Sequence, residues 1–505
     1  MRFYMFQANG RLGDIQSNSQ KIQNFCISFG ENDCTLLPSL PLIHHPYQEI
    51  AYIGGFFERI HTHNLINEKS PILFQTLNNN AEFVWNFSNN VTENKQIITV
   101  QNIHIFAPHQ NNEDFPTFLK ELIVPDSVHF IYLATAHAFY EGLDYTNELI
   151  AFAQKHQKPV VYLNACGATD GTLYAGNSML ILQDGTIAIK LNPFSEDSAY
   201  FDFDNNTINY QHKKQQTYSA DALLFLGAKQ AVQDYAQKTG ISKAVIGLSG
   251  GMDSALVAAI TSEAIGSDNI TGIIMPSQYN SQESMDDAIL LAKNLGISYY
   301  ILPITDIARC FESVLAPSFS SLSPLKNPDQ DTTPENIQAR TRGNLLTAFA
   351  NRIGAMVIST GNKSEAAMGY CTLYGDTVGA IEPIADIYKS RAYAIANWFN
   401  EYKGKEIIPH NVFIKAPTAE LKPNQKDEDS LPPYPYLDAV LYQLLELGKN
   451  PEEITESHLT QDEITLIYKR LKTSEFKRKQ CPFAVVLSSC PFGKKWSPSS
   501  CAKIF

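Results

Sequence analysis

Gly247-Leu248-Ser249-Gly250-Gly251-Met252-Asp253-Ser254 is the segment of this 505-residue chain whose residue types and spacing best suit chemistry. Two adjacent glycines let the backbone approach a ligand closely and take positive φ. Ser249 and Ser254 add hydroxyl donors. An apolar run precedes the segment and a helical pattern follows it. A helix N-terminus, with free N–H groups and a partial positive charge, therefore faces whatever the loop holds. Phosphate fits that description. Bare phosphate would repel Asp253, which makes chemical sense as a ligand for a bridging Mg²⁺. Ser-Gly-Gly alone would serve equally well as a plain strand–helix turn with an N-cap serine, and the Asp-Ser that follows tips the reading toward a phosphate loop. It is not a Walker A loop, because no Gly-Lys in the chain is followed by Ser or Thr.

Other segments carry groups suited to the same ligand. Glu335-Asn336-Ile337-Gln338-Ala339-Arg340-Thr341-Arg342 presents two arginines, rigid forks that match phosphate or carboxylate. Ser359-Thr360-Gly361-Asn362-Lys363-Ser364-Glu365 and Tyr374-Gly375-Asp376 come next. Beyond them stand Tyr388-Lys389, Ala416-Pro417-Thr418-Ala419-Glu420-Leu421, Asp429-Ser430-Leu431-Pro432-Pro433-Tyr434 and Glu475-Phe476-Lys477-Arg478-Lys479-Gln480. Taken singly, each has an ordinary reading. A Lys-Arg-Lys run is commonly a solvated face, and Glu365 near a helix start suits the helix dipole.

Regular elements must bring these segments together. Residues 220–238 read as an amphipathic helix. After it, strands at 244–248, 270–275, 299–304 and 356–360 alternate with helices at 254–265, 285–295 and 338–353. Such alternation predicts a doubly wound parallel sheet with both faces covered. Ligands of such sheets sit outside the carboxyl ends of the strands. Residues 317–333, rich in Ser, Pro and Asp, read as a long loop. Before residue 210 the texture differs. Short strands at 2–7, 35–40, 83–87, 97–106, 130–134, 160–163 and 178–182, with helices at 118–123 and 145–155, predict an α/β or α+β layer. Asparagine clusters at 78–80 and 89–90 read as turns. The polar stretch 205–217 marks the boundary between a domain at 1–212 and one at 218–505.

Composition narrows the partners. With 39 Lys and Arg against 52 Asp and Glu, the formal net charge is −13, which argues against a nucleic-acid binder. No run is long enough for a membrane helix, and the first residues turn polar too early for a signal peptide. Eight cysteines without a CxxC pair read as thiols in a reducing cytoplasm rather than a disulfide framework. The spacing of Cys481, Cys490 and Cys501 matches no common metal pattern.

SGGxDS at 249–254 resembles the loop of the ATP pyrophosphatases. Together and in this order, the segments above resemble the NAD⁺ synthetase family, across about residues 220–505. That resemblance implies a Rossmann-like ATP pyrophosphatase fold. It implies ATP-dependent amidation of deamido-NAD⁺ through an acyl adenylate, yielding NAD⁺, AMP and pyrophosphate. Gly247, Leu248, Ser249, Gly250, Gly251, Met252, Asp253 and Ser254 would bind ATP, with Thr360, Lys389 and Thr418. Asp253 and Glu365 would hold Mg²⁺. Asn336, Arg340, Glu365, Asp376 and Lys477 would hold the dinucleotide, although Arg340 also suits a structural contact. Asp253, Glu365, Asp376 and Lys389 would stand at the reacting centre. A homo-oligomer, at least a dimer, is expected.

Residues 1–212 resemble the nitrilase-like amidase domain, an α/β/β/α sandwich, that supplies ammonia from glutamine in many of these enzymes. Gln7, Gly13-Asp14 and Asn18 match its start. Val160-Val161-Tyr162-Leu163-Asn164-Ala165-Cys166-Gly167, Asp170-Gly171 and Gly176-Asn177-Ser178 match a late strand and the turn after it. The catalytic groups do not match. The mechanism needs a Cys nucleophile, a Glu base and an oxyanion-stabilising Lys. Ser39 stands at the Glu position. Residues 103–107, followed by Pro108-His109, match the strand that should lead to the Cys, and no cysteine lies between Cys34 and Cys166. Lys95 lacks the pattern around the family's Lys. His137 and Asn147 occupy glutamine-contacting positions where Ser and Arg are expected. Cys166 reads as a buried core thiol rather than a relocated nucleophile. His44 and His45, adjacent on a strand, would point oppositely and do not read as a metal pair. The expectation is therefore an enzyme without a glutaminase triad that uses ammonia directly or from a separate glutaminase partner. Three other readings stay open: a glutamine-dependent enzyme with an unconventional nucleophile, a non-catalytic nucleotide sensor or assembly subunit, and a ligase acting on the mononucleotide.

Overall fold

A computed structural model describes residues 1–11, 14–26, 28–29, 33–38, 72–73, 75–78, 81–84, 91–94, 96–108, 114–169, 171–213, 216–322 and 331–499. Gly13, Ser39, His44, His45, Lys95, His109, Asp170 and Cys501 lie outside them, as do most of the expected turns at 78–80 and 89–90. The chain divides into two compact units, Met1–Tyr218 and Ser219–Phe505.

In the first unit two sheets stack face to face. One runs Thr207–Tyr210, Asp197–Asp204, Arg2–Gln7, Asp33–Leu36, Ile72–Leu73. The other runs Ile187–Lys190, Met179–Ile181, Val160–Asn164, Phe130–Thr135, Ile103–Phe106, Ile97–Val100, Val91–Asn94. Alternation along Arg2–Gln7 sends Phe3 and Met5 inward. There they join Leu36 and Phe201 in one core with Ile98, Ile105, Phe130, Tyr132 and Val161 of the second sheet. Tyr4 and Phe6 face the other way, and the ring of Phe25, from helix Ile15–Cys26, stacks on Phe6 at 4.1 Å. Helices Phe115–Glu121 and Thr146–His156 cover the outer face of the second sheet through Phe118, Leu149 and Phe152. The layers are α/β/β/α.

One expected strand is corrected. Residues 97–106 are not continuous: Ile97–Val100 and Ile103–Phe106 pair antiparallel, with Val100 opposite Ile103. The polar pair Gln101-Asn102 interrupts the apolar run, and Gln101 takes a left-handed φ of 55° to close the turn.

The second unit holds a six-stranded sheet in the order Ser298–Ile301, Ile270–Ile274, Ala244–Gly247, Met356–Ile358, Ile381–Glu382, Phe483–Ala484. Every pairing is parallel. Ala244, Val245, Ile246, Ile273 and Ile358 are buried, because helices cover both faces. Ala244–Gly247 is central: the next strand in sequence lies on one side of it, and Met356–Ile358 lies on the other. The winding therefore reverses there, leaving a crevice at the carboxyl ends of these two strands. Helix Met252–Ile265 is buried almost all round, and its N-terminus opens on that crevice.

The loop expected at 317–333 is shortened at both ends. Helix Thr305–Phe319 runs through Pro317, which falls in its last turn. A second helix starts at Thr333, with Pro334 in its first turn, where a missing N–H costs nothing. The C-terminal part adds helices that the sequence reading left unassigned: Lys363–Met368, Lys389–Lys403, Tyr434–Leu445 and Gln461–Thr473.

Candidate active site

The crevice is a cavity lined by all of residues 247–254, by Thr360, Gly361, Glu365 and Asp376, and by Lys389, Thr418 and Asp427. The loop has one glycine that nothing else can replace. Gly250 sits at φ 79°, and a Cβ there would lie 2.1 Å from the Ser284 carbonyl oxygen. Its conformation is locked by hydroxyls: Ser254 Oγ donates to Gly251 O at 3.0 Å, and Gly251 N–H donates to Ser249 Oγ at 3.2 Å.

Lys389 is the first residue of helix Lys389–Lys403, and its side chain is 7% exposed. Its ammonium bonds Asp253 Oδ2 and lies 3.1 Å from Glu365 Oε1. Burial alone would lower the lysine, but Asp253 and Glu365 hold it above the ordinary range. Desolvation pushes the Glu365 carboxyl upward. Asn362 caps the helix that carries Glu365, accepting its N–H at 3.0 Å. Across the cavity, the Tyr434 hydroxyl donates to Asp427 Oδ2 at 2.9 Å and lies 3.5 Å from Glu365 Oε1. Asp253 Oδ1 and Asp427 Oδ1 are buried without a hydrogen-bond partner. Unmet oxygens on hard ligands suit Mg²⁺, which needs only one or two carboxylates besides phosphate and water. No cluster of three or more candidate ligands occurs among the described residues.

A second group of charges stands beside the loop. Lys415 Nζ bonds Ser284 Oγ and lies 3.1 Å from Glu420 Oε1. Asn280 Nδ2 donates to Glu420 Oε2 at 2.7 Å. Arg342 donates from Nη2 to Asn280 Oδ1 and from Nε to Met275 O, both at 3.1 Å. Burial brings its guanidinium down to about 10.

Three expected dinucleotide ligands are not among the residues lining this cavity. They converge instead on the neighbouring loop. Lys477 Nζ donates to Gly369 O at 2.8 Å and Cys371 O at 2.7 Å. Asn336 Oδ1 accepts from Thr372 Oγ1 at 2.8 Å. Arg340 Nε donates to Leu373 O at 3.2 Å, a structural contact. Asp376 closes the same loop by accepting the Thr372 N–H at 2.6 Å. Thr418 lines the cavity while its hydroxyl donates to Gln425 O at 2.6 Å.

Sequence reasoning gave no role to Asp427, Lys415 or Glu420. Asp427 hides in Lys426-Asp427-Glu428-Asp429, which reads as a solvated charge run. It departs from such a run only because Tyr434 follows seven residues later.

In the first unit, strand Ile103–Phe106 ends in Ala107-Pro108, and Phe106 and Ala107 are buried. Cys166 is fully buried, its Sγ 3.5 Å from Gln7 O. Cys34 is also fully buried, and its thiol is pushed well up. His137 Nδ1 lies 3.0 Å from the Tyr162 hydroxyl, and burial lowers the imidazole to about 4. Asn147 is on the surface.

Comparison with known proteins accords with this geometry. The NAD synthase family model matches residues 226–481, about half of the chain. This chain belongs to the NAD synthase family. It is accordingly a ligase that forms a C–N bond. The glutamine-dependent NAD(+) synthetase of Thermotoga maritima is 37% identical over 410 residues, covering 74% of this chain and 70% of that protein. The Synechocystis protein of the same name is 38% identical over 382 residues, covering 74% of this chain and 66% of its own. Among solved structures, the Acinetobacter baumannii glutamine-dependent NAD⁺ synthetase bound to ADP superposes with a TM-score of 0.71 at 26% identity, covering 98% of this chain and 97% of that one. The Cytophaga hutchinsonii enzyme gives a TM-score of 0.77 over 99% and 97% of the two chains, with 16% identity, a likeness of fold.

Proposed function

We propose that the second unit uses ATP to adenylate the nicotinate carboxylate of deamido-NAD⁺ and then aminates it to NAD⁺. The observation that carries this is Lys389, whose ammonium joins Asp253 on the phosphate loop to Glu365 beyond the neighbouring strand. In the first step a carboxylate oxygen attacks the α-phosphorus, and the bond to pyrophosphate breaks. In the second, the ammonia lone pair attacks the acyl carbon, AMP leaves with the C–O electron pair, and the nitrogen releases a proton to water. Both substrates are polyanions, so the chain's task is placement and charge neutralisation. Lys389 and the N-terminus of Met252–Ile265 supply positive potential where charge builds on the departing pyrophosphate. Asp253 and Glu365 would hold Mg²⁺, which when bound offsets phosphate charge. Asp253→Ala is expected to abolish pyrophosphate release. Retained turnover would mean that the loop does not hold ATP.

The nitrogen donor on this reading is ammonia, free or delivered by a separate glutaminase. Its support is the thiol-free end of strand Ile103–Phe106 and the burial of Cys34 and Cys166. The relatives' names favour a second reading, glutamine dependence through an unconventional site. Pure protein given ammonium chloride or glutamine decides between them: ammonium should support NAD⁺ formation and glutamine should not. Glutamate release coupled to NAD⁺ would establish the second reading. Tight dinucleotide binding with no AMP formed would instead indicate a nucleotide sensor, and preferential turnover of the mononucleotide would change the substrate.

A further inference from the structure

Glu382 belongs to no expected motif. It ends the short strand Ile381–Glu382 and is 6% exposed. It does not line the cavity; it stands directly behind the wall. Its Oε1 accepts from Ser359 Oγ at 3.0 Å, and the carboxyl also accepts the Gly361 backbone N–H. The fit leaves no slack: a Cβ on Gly361 would lie 2.2 Å from Glu382 Oε1. Ser359 Oγ is equally 3.0 Å from the Asp376 carbonyl, so one hydroxyl proton is shared between two acceptors. The backbone cannot compensate for loss of this arrangement. Ser359 N–H is already committed to Ile381 O at 3.0 Å, and a Cβ on Gly379 would lie 3.0 Å from Ser359 N.

These contacts link three things: at the carboxyl, the turn presenting Thr360 to the cavity and the close approach at Gly361, and through the shared Ser359 hydroxyl, the main chain at Asp376. Among the described residues no cation pairs with Glu382; its partners are a hydroxyl and an N–H, with Asp376 the charged group that faces it. A buried carboxyl so placed is costly unless its acceptor role matters.

We propose that Glu382 is a positioning residue that sets the turn at Ser359-Thr360-Gly361 and thereby aligns the ATP side and the dinucleotide side of the cavity together. This rests on the reading of the cavity as an ATP and deamido-NAD⁺ site. The expected signature is a joint change in two Michaelis constants, which a role confined to stability would not produce.

The experiment uses the full chain, saturating ammonium chloride, and initial rates with ATP and deamido-NAD⁺ varied in turn. Glu382→Ala should raise both KM values by about tenfold. Glu382→Gln keeps the acceptor oxygen and should restore both to within about threefold of the parent. Gly361→Ala alone should be severe, and adding Glu382→Ala should relieve rather than worsen it, a non-additive pair. Circular dichroism and the thermal midpoint report folding for each variant. Should Glu382→Ala not fold, Ser359→Ala removes the same hydrogen bond without emptying the site and carries the measurement. A folded Glu382→Ala or Ser359→Ala protein with both KM values unchanged overturns the proposal, as does additivity of the Gly361 and Glu382 changes. Failure of the parent protein to turn over either substrate would instead sink the assignment of the cavity.

Discussion

Glu382 keeps an ionisable group where an amide would also fit, and pH should report the difference. Desolvation raises its folded-state value to about 7 from 4.5. Between those values the folded protein binds the extra proton. The stability it contributes is therefore complete below about 4.5 and is lost as pH rises through about 7. Glu382→Gln cannot ionise, so it escapes that loss. At pH 8 it should be more stable than the parent by up to about 3 kcal/mol, and at pH 5 by much less. Denaturant midpoints at the two pH values check this. An equal difference at both would mean that the carboxyl does not titrate as its burial dictates.

At the scale of elements, Lys363 ties together parts of the second unit that are far apart in sequence. Fully buried, it lies 2.9 Å from Asp386, 2.6 Å from Glu446 and 2.6 Å from Ser488 Oγ. Lys363→Met would leave two buried carboxylates without their cation, a loss of about 3–5 kcal/mol. Limited proteolysis should then cut within 485–496 first; unchanged resistance there would mean that the lysine is not what holds this segment. The same residue illustrates what was legible beforehand. Its neighbour Glu365 lines the cavity and Asn362 caps the helix that carries it, but Lys363 points away from the cavity, a choice made by partners 83 and 125 residues distant. Local pattern revealed the parallel strands and the glycine turn at 247–254, because both depend on a few consecutive residues. It could not reveal Glu420 clasping Asn280 and Ser284, or the convergence of Lys477, Asn336 and Arg340 on one loop. Those are contacts between elements, and no residue in them is unusual for its own neighbourhood. The turn at Gln101-Asn102 was missed for a different reason: apolar β-branched residues on both sides masked a two-residue break.

At the scale of the whole molecule, helix Thr305–Phe319 stands out among the described helices as largely exposed. Only Ala308 of its residues is buried, whereas Ile307, Phe311 and Val314 are exposed, as are Tyr300 and Ile301 on the edge strand before it. Exposed apolar residues on this scale make this face a candidate surface for the homo-oligomer that the sequence reading expects. Phe311→Glu should shift the mass measured by light scattering to that of one chain, with unfolding unaffected. A mass that does not change would place the interface elsewhere. The order of the central sheet has a further consequence for biosynthesis. Ile381 pairs with Phe483, and Lys363 waits for Ser488. A ribosome therefore delivers the phosphate loop, both central strands and the buried lysine well before their last partners exist. Until residue 490 has emerged, the nascent second unit presents an unfinished sheet edge and a lysine that has its carboxylates but still lacks the Ser488 hydroxyl and the Cys490 carbonyl, the state in which a growing chain most needs a chaperone.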